Sequence, residues 1–357
     1  MSLPEEKYIK RCFGLAVKGT GSVSPNPLVG CVIVKDDKVI AEGYHEKYGA
    51  PHAEANALAK AGVNAKGAVL YCNLEPCCHT NKKTPPCAPA IIESGIKKVV
   101  ICNIDPNPFV AGAGIKLMRE RGIEVVTGVL EDEGALLNRF FFKYIKEKIP
   151  YITLKIARSL DGYISAEAGK QTWLTGPESG AYVHSLRARY DAVLVGAGTV
   201  NADNPMLNVR LAEGRNPGRI IVDGNLNSSA GAKVFNDEEK EGTILITSVK
   251  GDELKLSRLI EKGIKIIQLP ADDKGKIELN LILKRLGEEN ISSVLVEGGG
   301  EIFSMFIKEK LFDELIFITA PVNLGGGVKA FNGEIEANLK KIEDFDLGRD
   351  KLTRFKL

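Results

Sequence analysis

The sequence predicts two α/β domains in one chain. Apolar β-branched runs alternate with segments of helical periodicity along most of the 357 residues, a pattern typical of sheets covered by helices on both faces. The length exceeds what one hydrophobic core usually supports, which favours two domains. A short charged stretch that ends at Pro150 interrupts the alternation. We therefore expect one domain over residues 1–147 and a second over residues 148–357.

The first half is expected to begin with a helix over residues 5–18 and a hairpin with strands at 29–34 and 39–42. The elements expected after it are helix 52–61, strand 68–74, helix 87–94, strand 98–102, helix 115–121, strand 123–129 and helix 131–146. The last helix carries an apolar stretch at 140–145. This stretch favours a homo-oligomer.

The strongest motif combines His52-Ala53-Glu54 with Cys77 and Cys87. One imidazole and two well-separated thiolates are the ligands of a catalytic zinc site that keeps a fourth position open for water. Glu54 lies close enough to exchange a proton with that water without binding the metal. The His-x-Glu and Pro-Cys pattern is typical of zinc-dependent deaminases of nucleobases. The motif therefore predicts hydrolytic deamination.

Cys78 is the weaker alternative as a ligand, because adjacent side chains on extended backbone diverge. The remaining cysteines, Cys12, Cys31, Cys72 and Cys102, fall within apolar strand or helix patterns and are expected to pack in a core. A structural zinc or a set of buried thiols is the alternative to a catalytic site. The His-x-Glu pair favours the catalytic site.

The second half again alternates strands and helices, with no further His-x-Glu and no cysteine after Cys102. It is therefore expected to do different chemistry. The predicted elements are strand 151–157, helix 178–189, strands 191–196, 219–223 and 243–247, helix 254–262, strand 265–269, helix 279–289, strand 293–297, helix 301–310 and strand 313–320.

Two glycine-rich turns follow strands of the second half, at 196–199 and at 297–300. Glycines at a strand-to-helix junction let backbone amides approach a phosphate, and the helix N-terminus adds partial positive charge. Neither turn is a Gly-x-Gly-x-x-Gly fingerprint, so a Rossmann domain is not predicted. A plain tight turn remains the alternative at both places.

Several runs of the first half resemble the deaminase half of the bifunctional deaminase/reductase of riboflavin biosynthesis. They are 24–30 (SPNPLVG), 43–45 (GYH), 52–54 (HAE), 74–77 (LEPC) and 84–87 (TPPC). The resemblance implies a cytidine-deaminase-like α/β/α sandwich with one Zn²⁺ on His52, Cys77 and Cys87 and with Glu54 as proton shuttle. It also implies contacts to a pyrimidine carrying a ribose 5-phosphate from Asn26, His45, His79 and Lys83. Lys82 is the alternative to Lys83, which directly precedes Thr84.

The resemblance continues through the second half, at 155–162 (KIARSLDG), 172–175 (TWLT), 198–205 (GTVNADNP) and 296–299 (VEGG). It implies a dihydrofolate-reductase-like α/β domain that uses NADPH, with Lys155 near the site of hydride transfer. The implied cofactor contacts are Arg158, Trp173, Thr199, Asp203, Gly299, Gly300, Glu301, Ile302, Phe303, Ser304 and Met305. The implied substrate contacts are Gln171, Arg187, Leu207, Arg210 and Glu297.

Two residues depart from the resemblance: Arg158 stands where a small residue is expected, and Gln171 stands where a serine is expected. Arg158 could either crowd the nicotinamide or reach a phosphate. Lys250 is the candidate for contact with the cofactor's 2′-phosphate.

The resemblance implies hydrolytic deamination of 2,5-diamino-6-(5-phosphoribosylamino)pyrimidin-4-one, followed by NADPH-dependent reduction of the ribosyl to a ribityl chain. Two other classes remain as alternatives: a deaminase that edits nucleic acid and a noncatalytic scaffold stabilised by zinc. Lys and Arg number 48 against 46 Asp and Glu, a formal net charge of +2, and this balance argues against a nucleic-acid partner.

Composition also predicts where the protein works. No apolar run approaches the ~20 residues of a transmembrane helix, and no secretory signal is recognisable. The seven cysteines are an odd number, which is typical of a reducing compartment. We therefore expect a soluble, cytoplasmic enzyme that binds a small phosphorylated pyrimidine but neither a membrane nor nucleic acid.

Overall fold

The computed structural model describes residues 4–80, 84–248, 252–331, 335 and 338–357. Lys82, Lys83 and Lys250 lie outside these residues. The chain forms two compact units, one ending at Lys148 and the other beginning at Ile149. None of the helices in the described ranges combines the length and the apolarity needed to cross a bilayer.

The first unit contains a five-stranded sheet with strand order β2-β1-β3-β4-β5. The strands are β1 (Gly30–Lys35), β2 (Lys38–Tyr44), β3 (Val69–Leu74), β4 (Lys98–Asn103) and β5 (Glu124–Thr127). Strand β1 runs antiparallel to both β2 and β3, whereas β3, β4 and β5 are parallel. Consequently β2, β3, β4 and β5 all run in one direction and end at the same edge of the sheet, where β1 begins.

Helices cover both faces of this sheet. They are α1 (Pro4–Ala16), α2 (Ala53–Ala61), α3 (Cys87–Glu93), α4 (Ala113–Glu120), α5 (Glu131–Leu137) and α6 (Arg139–Glu147). Side chains of α1 pack with Val32 and Val34 of β1 on one face. Side chains of α2, α3 and α4 pack with Cys31 and Ile33 on the other. This division follows from the period-two alternation of side chains along a strand.

The second unit contains a nine-stranded sheet with strand order β11-β10-β9-β8-β12-β6-β13-β16-β15. The strands are β6 (Tyr151–Arg158), β8 (Ala192–Gly196), β9 (Gly218–Val222), β10 (Thr243–Ser248), β11 (Lys265–Leu269), β12 (Ser293–Val296), β13 (Glu314–Thr319), β15 (Lys340–Leu347) and β16 (Asp350–Lys356). All neighbouring pairs from β11 to β13 are parallel. Strand β16 joins β13 antiparallel and forms a hairpin with β15.

Five α-helices lie in the described part of the second unit. They are α7 (Pro177–Arg189), α8 (Ala197–Asp203), α9 (Glu253–Glu261), α10 (Leu279–Glu288) and α11 (Gly300–Glu309). A separate ribbon pairs β7 (Tyr163–Ser165) with β14 (Val328–Lys329). The core gathers side chains of α10 and α11 on the central parallel strands.

The structure departs from the sequence-based expectation in three places. The helix expected over 131–146 is two helices, because Asn138 leaves the helical conformation, with φ −100° and ψ 20°. The turn expected at 196–199 overlaps the start of α8 (Ala197–Asp203), a helix that was not predicted. The short strands β7 and β14 and the terminal hairpin of β15 and β16 had no strand pattern: β15 is rich in charged residues and mostly exposed, so it lacks the apolar alternation that marks a strand.

The four cysteines expected in a core, Cys12, Cys31, Cys72 and Cys102, are buried there. Burial raises the pKa of each of these thiols, that of Cys102 to about 12. These residues therefore remain neutral thiols that pack as small apolar groups.

Helix α2 approaches strand β2 closely because Gly43 has no side chain. A Cβ atom at Gly43 would lie 2.3 Å from the Ala53 carbonyl oxygen and 2.6 Å from the Ala57 nitrogen, both backbone atoms of α2. The absence of a side chain at this position thus sets the distance between the sheet and the start of α2, directly after His52.

Replacement of Gly43 by alanine should push α2 away from the sheet and destabilise the first unit by about 2 kcal/mol, the usual cost of overpacking. Urea unfolding and zinc content measure the two consequences, which should be lower stability and weaker metal binding. Gly14→Ala is the control, since that exposed position on α1 has nothing within 4 Å of an added Cβ. Because alanine favours a helix, Gly14→Ala should stabilise by about 0.5 kcal/mol. Equal effects of the two variants would contradict this account of α2.

Candidate active sites

The first candidate site joins three residues from separate elements. His52 directly precedes α2, Cys77 follows β3, and Cys87 is the first residue of α3. Their potential ligand atoms all lie within 4.8 Å of one another. Among the residues that the structure describes, this is the one His/Cys/Asp/Glu group found with such spacing. Cys78 is not part of it, in agreement with the expectation that adjacent side chains diverge.

The spacing of the donor atoms fits a tetrahedral zinc ion. The Nδ1 atom of His52 lies 3.5 Å from Sγ of Cys77 and 3.4 Å from Sγ of Cys87. Zinc bonds of ordinary length at a tetrahedral angle hold a sulfur and a nitrogen about 3.6 Å apart. Two thiolates and one imidazole are also the donors that zinc prefers, and three protein ligands leave one position for a small molecule.

Two contacts orient these ligands. Oγ1 of Thr84 lies 3.1 Å from Nε2 of His52. Because Nδ1 faces the thiols, Nε2 carries the N–H and donates a hydrogen bond to Oγ1 of Thr84. This bond sets the tautomer and the plane of the ring. The backbone N–H of Cys87 donates to Sγ of Cys77 over 3.4 Å, a contact that favours the thiolate.

Glu54 lies in the first turn of α2 and its residue surface is only 3 % exposed. Its Oε2 atom is buried and has no hydrogen-bond partner within the described ranges. Burial raises the pKa of Glu54, with a further contribution from the neighbouring Cys77 thiolate. A buried carboxyl oxygen without a partner, beside a candidate metal centre, is suited to bind and move a proton.

A cavity of about 290 Å³ opens over these groups. Three of the four expected substrate residues of this unit, Asn26, His45 and His79, line it together with His52, Glu54, Cys77 and Thr84. The fourth, Lys83, lies outside the described residues. The sheet edge brings them together, because Asn26 precedes β1, His45 follows β2 and Cys77 follows β3.

Hydrogen bonds determine the tautomer and the orientation of the His45 ring. Its Nδ1 lies 3.1 Å from the Pro51 carbonyl oxygen and its Nε2 lies 3.2 Å from Nδ2 of Asn26. Nδ1 therefore donates to the carbonyl, while Nε2 accepts from the amide of Asn26. Burial lowers the pKa of His45, so the ring is neutral and its orientation is determined.

Two further carboxyl groups of this unit lie at the same sheet edge: Glu75, which belongs to the motif at 74–77, and Asp105, which sequence reasoning missed. Glu75, which is buried, accepts hydrogen bonds from four backbone amides, those of Asp105, Gly112, Gly114 and Ile115. It therefore anchors the end of β3, and with it Cys77, to α4. Asp105 is buried and lines the cavity, and burial, with a smaller effect of Glu75, raises its pKa to about 7. Its position directly after the predicted strand 98–102 was the available signal.

The second candidate site lies at the carboxyl ends of β6, β8 and β12, in the second unit. Glu297 follows β12 and accepts hydrogen bonds from Nε and Nη2 of Arg187, at 2.6 Å and 3.0 Å. The ammonium of Lys155, on β6, lies 3.2 Å from Oε2 of the same carboxylate. Burial alone would raise the pKa of Glu297, but the two cations outweigh it and lower this pKa to about 2. Glu297 is therefore a permanent anion between two cations.

Helix α8 brings Thr199 and Asp203 to the same edge. A Cβ on Gly298 would lie 2.7 Å from Oγ1 of Thr199, and Gly299 has φ +86°. These glycines let the backbone turn closely over α8 and begin α11. Burial raises the pKa of Asp203, and the charge of Lys155 opposes that shift. The arrangement fits the phosphate-bearing part of a dinucleotide, which needs close backbone and a helix N-terminus.

Helix α11 limits which expected cofactor contacts are available. The Phe303 amide already donates to the Gly299 carbonyl, so the free amides of the first turn belong to Gly300, Glu301 and Ile302. The side chains of Ile302 and Phe303 are buried in the core, and Met305 packs against it. The Ile302 side chain also lies near the glycine turn, since a Cβ on Gly299 would lie 3.9 Å from its Cγ1. Ser304 continues the helix beyond its first turn.

The remaining expected residues of this unit occupy different environments. Nη1 of Arg210 donates to the side chain of Asn208. The backbone carbonyl of Asn208 accepts from Arg187. Leu207 is buried with φ +55°. Trp173 is 80 % exposed, and Gln171 is also exposed. The structure thus joins Arg187, Arg210 and Glu297 but leaves the 171–173 segment at the surface.

Arg158 does not extend freely from β6. Its guanidinium lies 3.7 Å from the centre of the Phe317 ring, and Nε donates to Oγ1 of Thr319 over 3.3 Å. Burial lowers its pKa. Both contacts are on the neighbouring strand β13, so a cation–π contact holds this unexpected side chain against the sheet.

His184 on α7 was also missed. Its Nδ1 accepts a hydrogen bond from the Arg210 backbone amide over 3.0 Å. Burial, followed by the charges of Arg187 and Arg210, lowers the pKa of His184 to about 4. The ring is therefore neutral and anchors the loop that carries Arg210.

Fold and sites together define a two-domain enzyme with a zinc-type hydrolytic centre and a separate site for a phosphate-bearing cofactor. Residues 4–103 match the family described as the cytidine and deoxycytidylate deaminase zinc-binding region, and residues 150–350 match the RibD C-terminal domain. The riboflavin biosynthesis protein RibD of Aquifex aeolicus is 44 % identical over 99 % of this chain and 98 % of its own. That of Escherichia coli is 36 % identical over 92 % of this chain and 90 % of its own.

Two solved structures are similar over 99 % of this chain and 98 % of their own. Acinetobacter baumannii RibD has a TM-score of 0.89 at 36 % identity. A diaminohydroxyphosphoribosylaminopyrimidine deaminase/5-amino-6-(5-phosphoribosylamino)uracil reductase of Thermotoga maritima has a TM-score of 0.87 at 38 % identity. The chain therefore belongs to the RibD family, whose members are zinc-dependent deaminases and NADPH-dependent reductases of riboflavin biosynthesis. The expected fold class and the resemblance are confirmed.

Replacement of Thr84 by valine should weaken zinc binding about tenfold, because His52 loses the partner that orients its ring. Competition with a chromophoric chelator measures the affinity. Thr80→Val, a change at an exposed position of the same loop, is the matched control and should leave the affinity unchanged. Identical affinities for all three proteins would show that Thr84 does not orient His52.

Proposed function

We propose that the first unit deaminates 2,5-diamino-6-(5-phosphoribosylamino)pyrimidin-4-one and that the second unit reduces the ribosyl group of the product with NADPH. One observation carries the proposal: His52, Cys77 and Glu54 line one cavity of the first unit, and Cys87 completes the group of potential metal ligands with His52 and Cys77. The two activities for which the Thermotoga maritima relative is named support this substrate, because that relative is similar over nearly the whole chain.

The deamination step follows from the arrangement around Glu54. His52, Cys77 and Cys87 would hold a zinc ion, which would supply the Lewis acidity that makes water a nucleophile at neutral pH. Glu54 takes one proton from the attacking water and delivers it to the departing amine, while the second proton of the water goes to the ring nitrogen. The exocyclic C–N bond then breaks, a carbonyl forms at that carbon and ammonia leaves. The buried Oε2 atom without a partner is suited to both transfers.

Asn26 and His45 position the pyrimidine in this proposal. The neutral His45 ring, held by the Pro51 carbonyl and the Asn26 amide, gives the cavity wall a defined hydrogen-bonding pattern. His79 lies at the same cavity beside the exposed Phe109, with ring centres 6.1 Å apart. Lys83 contributes a cation for the substrate phosphate.

The reduction uses the second site. NADPH supplies the hydride, and the protein places the reacting carbon and supplies a proton. The Lys155 ammonium, held by Glu297, is placed to donate that proton. Thr199, Asp203, Trp173 and the turn from Gly299 to Ile302 hold the cofactor, together with Arg158.

Arg210 is the main residue that binds the substrate phosphate in this proposal. Arg187 already directs Nε and Nη2 to Glu297 and Nη1 to the Asn208 carbonyl, whereas Arg210 directs Nη1 alone to Asn208 among the contacts described. A guanidinium with free donors binds a phosphate bidentately. Leu207 shapes the same loop, and Gln171 completes the substrate contacts.

The proposal includes the cellular location, the oligomeric state and the partners of the enzyme. It works in the cytoplasm as a homo-oligomer and requires neither nucleic acid nor membrane. The half-buried aromatic residues of α6, Phe140 and Phe142, support self-association. Analytical ultracentrifugation of the purified chain tests the oligomeric state.

NADPH oxidation tests both activities and their order. With the diamino substrate, oxidation should require zinc and should stop after chelation, because the reductase acts on the deaminated product. With the already deaminated uracil compound, oxidation should persist after chelation. Absence of oxidation with either compound, in protein that contains zinc, would defeat the reductase assignment.

Glu54→Gln should retain zinc and lose at least about 10³-fold in deamination, because the amide cannot shuttle a proton. Ammonia release, metal analysis and NADPH oxidation with the deaminated compound provide the three measurements. The reductase rate serves as the internal control and should be unchanged. Full ammonia release by this variant would leave a noncatalytic zinc site as the better explanation.

A further inference from the structure

Two buried asparagines hold the backbone of Leu28, the residue between the cavity loop and β1. The Leu28 amide donates to Oδ1 of Asn138 over 2.8 Å, and its carbonyl accepts from Nδ2 of Asn138 over 3.0 Å. The same carbonyl accepts from Nδ2 of Asn73 over 2.8 Å, while Oδ1 of Asn73 accepts from the Gly30 amide over 2.7 Å. We call Asn73 and Asn138 the Leu28 clamp.

The clamp uses both polar ends of each side chain. The Asn138 carboxamide pairs with the Leu28 backbone as a neighbouring strand would, by one N–H donated and one accepted. Asn73 is 0 % and Asn138 is 2 % exposed. Two fully buried amides in a core are costly unless every polar atom is satisfied. Here both asparagine side chains form hydrogen bonds with the same short backbone segment, residues 28–30.

Leu28 is joined to the cavity by a stiff segment. Pro25 and Pro27 have fixed φ angles, and each proline also restricts the residue before it. Asn26, between them, therefore has little freedom relative to Leu28. On the other side, the Val29 carbonyl accepts from the His45 amide over 2.9 Å. The position of Leu28 thus determines the positions of both Asn26 and His45. Nδ2 of Asn26 lies 3.2 Å from Nε2 of His45.

We infer that Asn138 and Asn73 are positioning residues for substrate binding by the deaminase. This inference rests on the proposed function, in which Asn26 and His45 contact the pyrimidine. The hydrogen bonds described for the clamp go to Leu28 and Gly30 and not to the candidate zinc ligands, so the clamp acts on the wall of the cavity rather than on the metal. Its loss should therefore change KM and leave zinc content intact.

The test is a double-mutant cycle on the full chain with Asn26→Ala and Asn138→Ala, assayed by ammonia release from the diamino substrate. Asn138→Ala should raise KM about tenfold with little change in kcat, because the groups that bind the ring are misplaced while Glu54 and zinc are not. In the Asn26→Ala background, the same change should raise KM only about twofold, since the two residues act through one contact.

Asn103→Ala is the matched control. Asn103 is also buried, at 3 % exposure, and its Nδ2 donates to the Glu131 carbonyl over 2.9 Å rather than to the backbone of Leu28. It should lose stability, measured by urea unfolding, without a change in KM. If Asn138→Ala fails to fold, Asn138→Asp takes its place, because a carboxylate oxygen still accepts from the Leu28 amide.

Three outcomes would overturn the inference. A KM of Asn138→Ala equal to that of the wild type, with or without Asn26→Ala, would make the clamp a stabilising feature alone. An unchanged KM in Asn26→Ala by itself would remove the contact through which the clamp acts. No ammonia release by zinc-loaded wild-type protein would defeat the proposed function, and the inference with it, before any variant is compared.

Discussion

One geometric constraint underlies both active sites: strands that run in the same direction end at the same edge of a sheet. In the first unit, β2 and β3 flank the antiparallel β1, so His45, Cys77 and the start of β1 lie at one edge. In the second unit, β6, β8 and β12 are parallel neighbours and end beside Lys155, Gly196 and Glu297. The backbone amides that a strand end leaves unpaired, and the helices that begin there, add favourable sites for anions.

The pKa of a buried carboxyl group is raised in the first site and lowered in the second. The deaminase site keeps a carboxyl group, Glu54, buried and without a hydrogen-bond partner for Oε2 in the described structure, so burial raises its pKa and favours proton transfer. The reductase site surrounds Glu297 with Lys155 and Arg187, so the carboxylate stays ionised. Burial acts on both groups: it dominates at Glu54, whereas Arg187 and Lys155 outweigh it at Glu297.

Buried polar side chains hold the deaminase loops in place. Glu75 accepts from four backbone amides, and the Leu28 clamp pairs with the backbone ahead of β1. Every such bond joins segments that are far apart in sequence, as in the separation of 110 residues between Leu28 and Asn138. Because an unmade buried hydrogen bond costs about 1–3 kcal/mol, these contacts allow few alternative loop positions.

The sequence by itself determined the local features of this protein. Apolar periodicity predicted most strands and helices, since side-chain spacing follows from local backbone geometry. The residue types of His52, Glu54, Cys77 and Cys87 predicted zinc chemistry, because few donor sets suit that ion. Motif resemblance in both halves predicted the RibD family. The break at Asn138 and the charged hairpin of β15 and β16 were missed, since neither leaves an apolar pattern.

Only the tertiary structure decided which distant groups meet. It placed Arg158 on the Phe317 ring, turned Ile302 and Phe303 into the core, and brought Asp105 to the cavity. It also joined Asn73 and Asn138 to Leu28 across 45 and 110 residues. Such contacts depend on chain topology and on the packing of whole elements, and no local spacing in the sequence encodes them.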